Sequence, residues 1–354
     1  LAEEIISKAA ILEKLGSQLV VDKIIIPKKL TAGQVLVQII CSGVCGSQIR
    51  EIEAKEDRFL PHLLGHEGGG KVVQTGPGVT DLKPGDHVVL HWRRGPGIES
   101  DFPIYTWNGL RVGGGLITTF NEYAIVSENR LTKIPKHIPF DIAALMGCAV
   151  TTAFGLIDNE AWLNIGQSIM VLGCGGVGLN VIQAAAMKSA YPIIAIDVYD
   201  HKLEMAEEFG ATHKFNAIKT GYSDILSALF TLTGNGVDVA VECSGKAEWA
   251  HEAVKPGGRV ILVGLPEADK SLRMSSMRKL FGKTIILSEG GGSNPADDIS
   301  RYLNLYSLGK LKLDELITHR YPLEEINSAV ARVRSGECGR CIIDMEERDE
   351  QTRK

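Results

Sequence analysis

The octet VLGCGGVG at residues 171–178 is the strongest constraint on what this chain can fold into. It ends an apolar run, SIMVLG, and opens a stretch of helical period, GLNVIQAAAMKSA, so Gly173, Gly175 and Gly178 stand at a strand-to-helix turn. In such a turn the first glycine permits the sharp reversal, the second lets the backbone approach a pyrophosphate, and the third lets helix and strand pack closely. Gly176 lies in the same turn and belongs to the same candidate site. A second strand, PIIAID, ends at Asp197, about 20 residues past the last glycine, where a carboxylate accepts bonds from the adenosine ribose hydroxyls. Because a carboxylate repels a 2′-phosphate, NAD is the expected cofactor rather than NADP. Asp197 also fits a simpler reading, a strand-end cap of the following turn. Lys202 offers the same ribose a cation, or is a solvated lysine on a helix face.

Around this octet the chain changes rhythm. From about residue 20 to 135, short β-branched runs (QVLVQII, GGGKVVQTG, DHVVLHW) alternate with Gly, Pro and Asp, the pattern of a mostly antiparallel β domain. After Cys148, buried strands alternate with helical segments and continue through VDVAVEC and GRVILVG, the pattern of a doubly wound α/β domain with a parallel sheet. Beyond about residue 295 the helical ADDISRYLNLYSLG and YPLEEINSAVARVRSG precede a closing strand, RCIIDM, and the tail EERDEQTRK reads as disordered.

Composition excludes several functions. A net charge of −5 without a long basic run does not suit nucleic acid. No apolar stretch reaches about 18 residues, so no membrane partner is expected. The first residues, LAEEIISKAAILEKLG, are acidic where a secretory signal is basic, and seven scattered cysteines are too sparse for a disulfide framework. A cytoplasmic enzyme is the expectation.

Cysteine and histidine are the preferred ligands of a catalytic zinc, which takes three protein ligands and leaves a fourth position open. Cys45, His66 and Cys148 would make such a set, although spacing alone reads each equally as a core residue. The segment GHEGGGKVVQTGPGVTDLKPGDHV, residues 65–88, resembles the zinc-binding signature of the medium-chain dehydrogenase/reductase superfamily. GVCGS and GCAVTTAFG resemble its other two ligand segments, and the likeness runs from KAAI near residue 8 to the closing GRCIID. The set is similar to that of the zinc-dependent alcohol dehydrogenases rather than the polyol branch, which has Glu at the third ligand.

The resemblance implies a GroES-like, mostly-β catalytic domain over residues 1–152 and 291–354, and a Rossmann NAD-binding domain over 153–290. It implies Cys45, His66 and Cys148 as catalytic zinc ligands, Glu67 as a carboxylate behind them and Ser47 as the hydroxyl that passes the alcohol proton away. Thr152 and Val177 match positions packing on the nicotinamide, and Arg340 one reaching the pyrophosphate. Trp92 matches an aromatic wall of the substrate pocket and equally fits a core aromatic at a strand end. The implied activity is reversible oxidation of a primary or secondary alcohol to its aldehyde or ketone, with a small-molecule substrate.

Three departures stand out. The region HWRRGPGIESDFPIYTWNGLRVGGG lacks the four cysteines that hold a structural zinc in many relatives, so one zinc per chain is expected, with this region as a loop near the pocket mouth. Its Arg93 and Arg94 are either solvated or readers of an anionic substrate group. Gln48 stands where relatives have Asp, and Arg50 where some carry the last histidine of a proton relay. The basic loop keeps open a polyol, sugar or cyclitol dehydrogenase, and a non-catalytic binding protein on the same scaffold is the alternative of another class. A homodimer or homotetramer is expected, pairing along GRVILVG as an edge strand.

Overall fold

The computed structural model describes residues 5–54, 60–263 and 277–345. The tail beyond residue 345 lies outside the described residues. The chain divides into two compact units: Leu1–Cys148 with Asn294–Leu308 and Leu313–Lys354, and Ala149–Ser293 with Gly309–Lys312.

The first unit holds two sheets. One is a closed barrel in which Ile5–Leu12, Val20–Ile26, Ile104–Trp107, Leu110–Gly113 and His62–Leu63 pair in turn and the last returns to the first. The other is built on the long strand Gln34–Val44, which pairs antiparallel with Glu67–Thr75, Tyr123–Ser127 and Arg340–Asp344. Alternating apolar residues of this sheet, among them Val35 and Val37 of Gln34–Val44 and Val88 and Leu90 of His87–His91, which pairs with Glu67–Thr75, close one core. Half of the region expected to be a loop is a hairpin instead. Asn108 and Gly109 both have positive φ (49° and 78°), which matches the twist of strands joined by a two-residue turn. Trp107 then anchors the hairpin by donating its ring N–H to Asp22 at 2.8 Å.

The second unit is a six-stranded parallel sheet in the order His213–Asn216, Ile193–Asp197, Ile169–Leu172, Val237–Glu242, Val254–Leu262, Thr284–Leu287. Numbered along the chain this is 3-2-1-4-5-6, so the chain reverses direction across the sheet at Ile169–Leu172, and Gly176–Met187 starts at that switch point. The strand carrying GRVILV is therefore not an edge, since it has a neighbour on each side. The edge on that side is Thr284–Leu287, where Leu287 is 59% exposed and nearby Phe281 85% exposed; His213–Asn216 is the other edge. No single helix among the described residues is long and apolar enough to cross a membrane.

Candidate functional site

In the first unit the three metal-ligand candidates arrive on separate elements. Strand Gln34–Val44 ends at Cys45, which stands as the N-cap of helix Gly46–Ile52 and places Ser47 and Gln48 in its first turn. His66 lies between strands His62–Leu63 and Glu67–Thr75, and Cys148 just beyond helix Phe140–Met146. The two thiols and the imidazole bring one ligand atom each within 4.8 Å of one another, and no other group of three or more such residues occurs among the described residues. Gly147 permits the approach: a Cβ there would lie 2.4 Å from the Leu90 carbonyl oxygen and 2.7 Å from Glu67 Cα.

The donors suit a cation. A hydrogen bond with Cys148 holds the Cys45 thiol well below its ordinary range; burial opposes this, while His66 and Arg340 assist. His66 Nε2 and Ser47 Oγ are buried without a partner in the protein. Thiolate and imidazole at these mutual distances, with an unpartnered ring nitrogen, fit zinc. Glu67, fully buried, accepts from the guanidinium of Arg340, itself buried in strand Arg340–Asp344. Nothing in the sequence signals this pair across the chain; pairing of Arg340–Asp344 with Gln34–Val44 creates it. Cys41 takes no part in the cluster, its thiol lying 3.3 Å from Asp344.

Strand His87–His91 runs beside Glu67–Thr75 with His91 opposite Glu67, so Trp92 is the residue delivered at the end of the ladder where His66 enters. The His91 ring bonds the Arg93 carbonyl at 2.8 Å and Thr132 Oγ1 at 2.9 Å. Burial pushes its pKa down to about 4, so at neutral pH the uncharged ring can donate on one side and accept on the other. The Arg93 guanidinium lies over the Trp92 ring at 5.6 Å. Arg94 pairs with Glu99 at 3.3 Å, and Glu99 also accepts from Arg130 at 2.8 Å. Arg94 thus shares one carboxylate with Arg130, and its own side chain stays largely exposed.

In the second unit Gly173 has φ +94° and Gly178 sits where a Cβ would be 1.9 Å from the Gly173 carbonyl oxygen. Asp197 accepts backbone N–H bonds from Cys174 (2.7 Å), Val198 (2.7 Å) and Tyr199 (3.1 Å). It therefore caps its own turn and ties it to the glycine turn, and a carboxylate's lone pairs, about four in all, leave room for another donor. Lys202 is buried with its ammonium 5.8 Å from the Tyr199 ring centre, so it is not a solvated helix-face lysine. Thr152 is buried in helix Ala149–Gly155, and Gly175, Gly176 and Val177 are half-buried at the turn.

Residues 31–136 match the family described as alcohol dehydrogenase GroES-like domain, and residues 176–307 that described as zinc-binding dehydrogenase. Alcohol dehydrogenase class-P of Arabidopsis thaliana is 32% identical over 371 residues, covering 96% of this chain and 97% of that protein. Alcohol dehydrogenase class-3 of Cereibacter sphaeroides is 30% identical over 356 residues, covering 88% and 93%. Benzyl alcohol dehydrogenase from Acinetobacter calcoaceticus superposes with a TM-score of 0.87 at 28% identity, over 97% of this chain and 100% of that one.

Proposed function

For a chain that belongs to the zinc-dependent alcohol dehydrogenase family of the medium-chain dehydrogenase/reductase superfamily, and so is an alcohol oxidoreductase, we propose reversible hydride transfer between a primary or secondary alcohol and NAD, with one zinc per chain. The observation that carries the proposal is the convergence of Cys45, His66 and Cys148, which would hold the zinc. When bound, zinc supplies a Lewis acid and the nicotinamide a hydride acceptor.

The chain's own residues do the rest. Ser47 Oγ, buried and unpartnered, is available to take the alcohol proton. Arg50 offers a guanidinium, which only donates and cannot receive that proton, so the proton leaves through water. Glu67, neutralised by Arg340, sits behind the ligands without adding a net charge. Arg340 keeps a second guanidinium nitrogen, the buried Nε, without a partner in the protein. The glycine turn would take that pyrophosphate at the helix N-terminus, Asp197 the ribose with Lys202 beside it, and Thr152 and Val177 the nicotinamide face. Trp92 would wall the alcohol, with Arg93 held on its ring.

Metal quantification on freshly purified protein, with NADH formation followed over primary and secondary alcohols, tests this reading. The expected result is about one zinc per chain and turnover of simple alcohols. Turnover confined to cyclitols and sugar alcohols would replace the substrate assignment, and zinc-free protein without turnover would end it. Asp197→Ala is expected to weaken NAD binding about 10-fold, ~1.4 kcal/mol, and to shift preference toward NADP; an unchanged NAD/NADP ratio would remove the ribose assignment. We also propose that copies associate, as a dimer or tetramer, along Thr284–Leu287, whose apolar side chains are exposed at a sheet edge. A monomer mass in sedimentation equilibrium would contradict it.

A further inference from the structure

We infer that Glu51 is a positioning residue for the metal centre: its carboxylate fixes which end of the Gln48 amide faces the Cys45, His66 and Cys148 cluster. The inference rests on the zinc reading above.

Gln48 lies in the first turn of the helix that Cys45 caps and is 1% exposed. The two ends of its amide are chemically opposite, since the NH2 only donates and the oxygen only accepts. Glu51 follows one turn later on the same helix face. Its Oε2 accepts from Gln48 Nε2 at 3.2 Å. A carboxylate cannot donate, so it selects the NH2 end and turns the amide oxygen the other way. That oxygen is buried and has no partner in the protein, as are Ser47 Oγ and His66 Nε2. A buried carbonyl oxygen left unanswered is costly, so this is the end of the amide open to a donor.

Glu51 as a whole is exposed, and its carboxylate contacts the Gln48 amide. Desolvation of the carboxyl raises its pKa, while the His66 and His62 rings, and then the Gln48 bond, pull it back. The arrangement gives the metal centre a neutral acceptor at Gln48 and keeps the negative charge one turn further out. Thiolates at Cys45 and Cys148 would already bring negative charge to a bound cation, so a neutral neighbour would leave it more electron-poor than a carboxylate in the same place.

Glu51→Ala and Glu51→Asp separate orientation from charge. The first removes both the acceptor and the charge; the second keeps the charge and draws the carboxylate one methylene back from the Gln48 amide. The readouts are zinc retention against a competing chelator and the visible spectrum of the cobalt-substituted protein, with thermal unfolding as the check on folding. Glu51→Ala is expected to weaken retention about 10-fold, the lower end for partners of metal ligands, and to shift the cobalt bands. Glu51→Asp is expected to lose retention about as far as Glu51→Ala, since the charge stays and the contact with the amide does not. Native-like retention in Glu51→Asp beside loss in Glu51→Ala would show that charge, not amide orientation, is what matters, and would overturn the inference. So would an unchanged Glu51→Ala. Native protein that retains neither zinc nor cobalt would fail the zinc reading itself, and the inference with it.

Discussion

Cys148→Ala is expected to leave a folded protein that neither retains zinc nor oxidises alcohols, with turnover down on the order of 1,000-fold or more, ~4 kcal/mol of transition-state stabilisation. Three protein ligands are the working minimum for such a centre, and the substitution leaves two. Cys148 also lowers the Cys45 thiol through their hydrogen bond, so its loss weakens a second ligand as well. The packing cost is small, about 1 kcal/mol for removing one buried sulfur and leaving the alanine methyl. Cys41→Ala supplies the control, because Cys41 is as deeply buried (1% exposed, against 9% for Cys148) and loses the same atom. Its thiol contacts Asp344 and lies outside the cluster, so zinc content and activity should be unchanged. Similar zinc contents in the two variants, measured by atomic absorption, would refute the ligand assignment.

The nucleotide-binding half was the more legible in the sequence, because its determinants are local. Strand, glycine turn, helix and Asp197 follow one another within about thirty residues, as one βαβ unit does, and the sheet built on them has the order 3-2-1-4-5-6. The barrel was less legible. Asn108-Gly109 is a strong hairpin signal, but it sits among arginines and aromatics that were read for substrate chemistry, and its strands are only four residues each. The edge strand was misplaced because GRVILVG and TIIL are both apolar runs, and only the sheet shows which has a neighbour on each side. Contacts such as Arg340 to Glu67 depend on which strands pair across the chain, and no spacing rule reports that.

Gly175→Ala and Gly178→Ala should separate two glycine roles that look alike in sequence. A Cβ at Gly178 would lie 1.9 Å from the Gly173 carbonyl oxygen and 3.4 Å from a Val171 methyl, so helix Gly176–Met187 must move away from its strand. Overpacking of this kind costs about 1–3 kcal/mol, occasionally more, and a backbone oxygen has little freedom to retreat. Moving the helix also displaces the first-turn N–H groups that would meet the pyrophosphate, and the Cys174 N–H bond carries the disturbance to Asp197. At Gly175, by contrast, a Cβ meets nothing within 4 Å, and its φ of −82° suits alanine. The space around Gly175 is where a pyrophosphate would come against the backbone. Gly178→Ala is therefore expected to lower the unfolding temperature by several degrees and NAD affinity on the order of 100-fold, ~2.7 kcal/mol. Gly175→Ala should leave the unfolding temperature unchanged and weaken NAD about 10-fold, ~1.4 kcal/mol. Calorimetry and NAD titration on the same samples decide it: equal loss of stability in both variants would contradict the packing role of Gly178, and full NAD affinity in Gly175→Ala would place the pyrophosphate elsewhere.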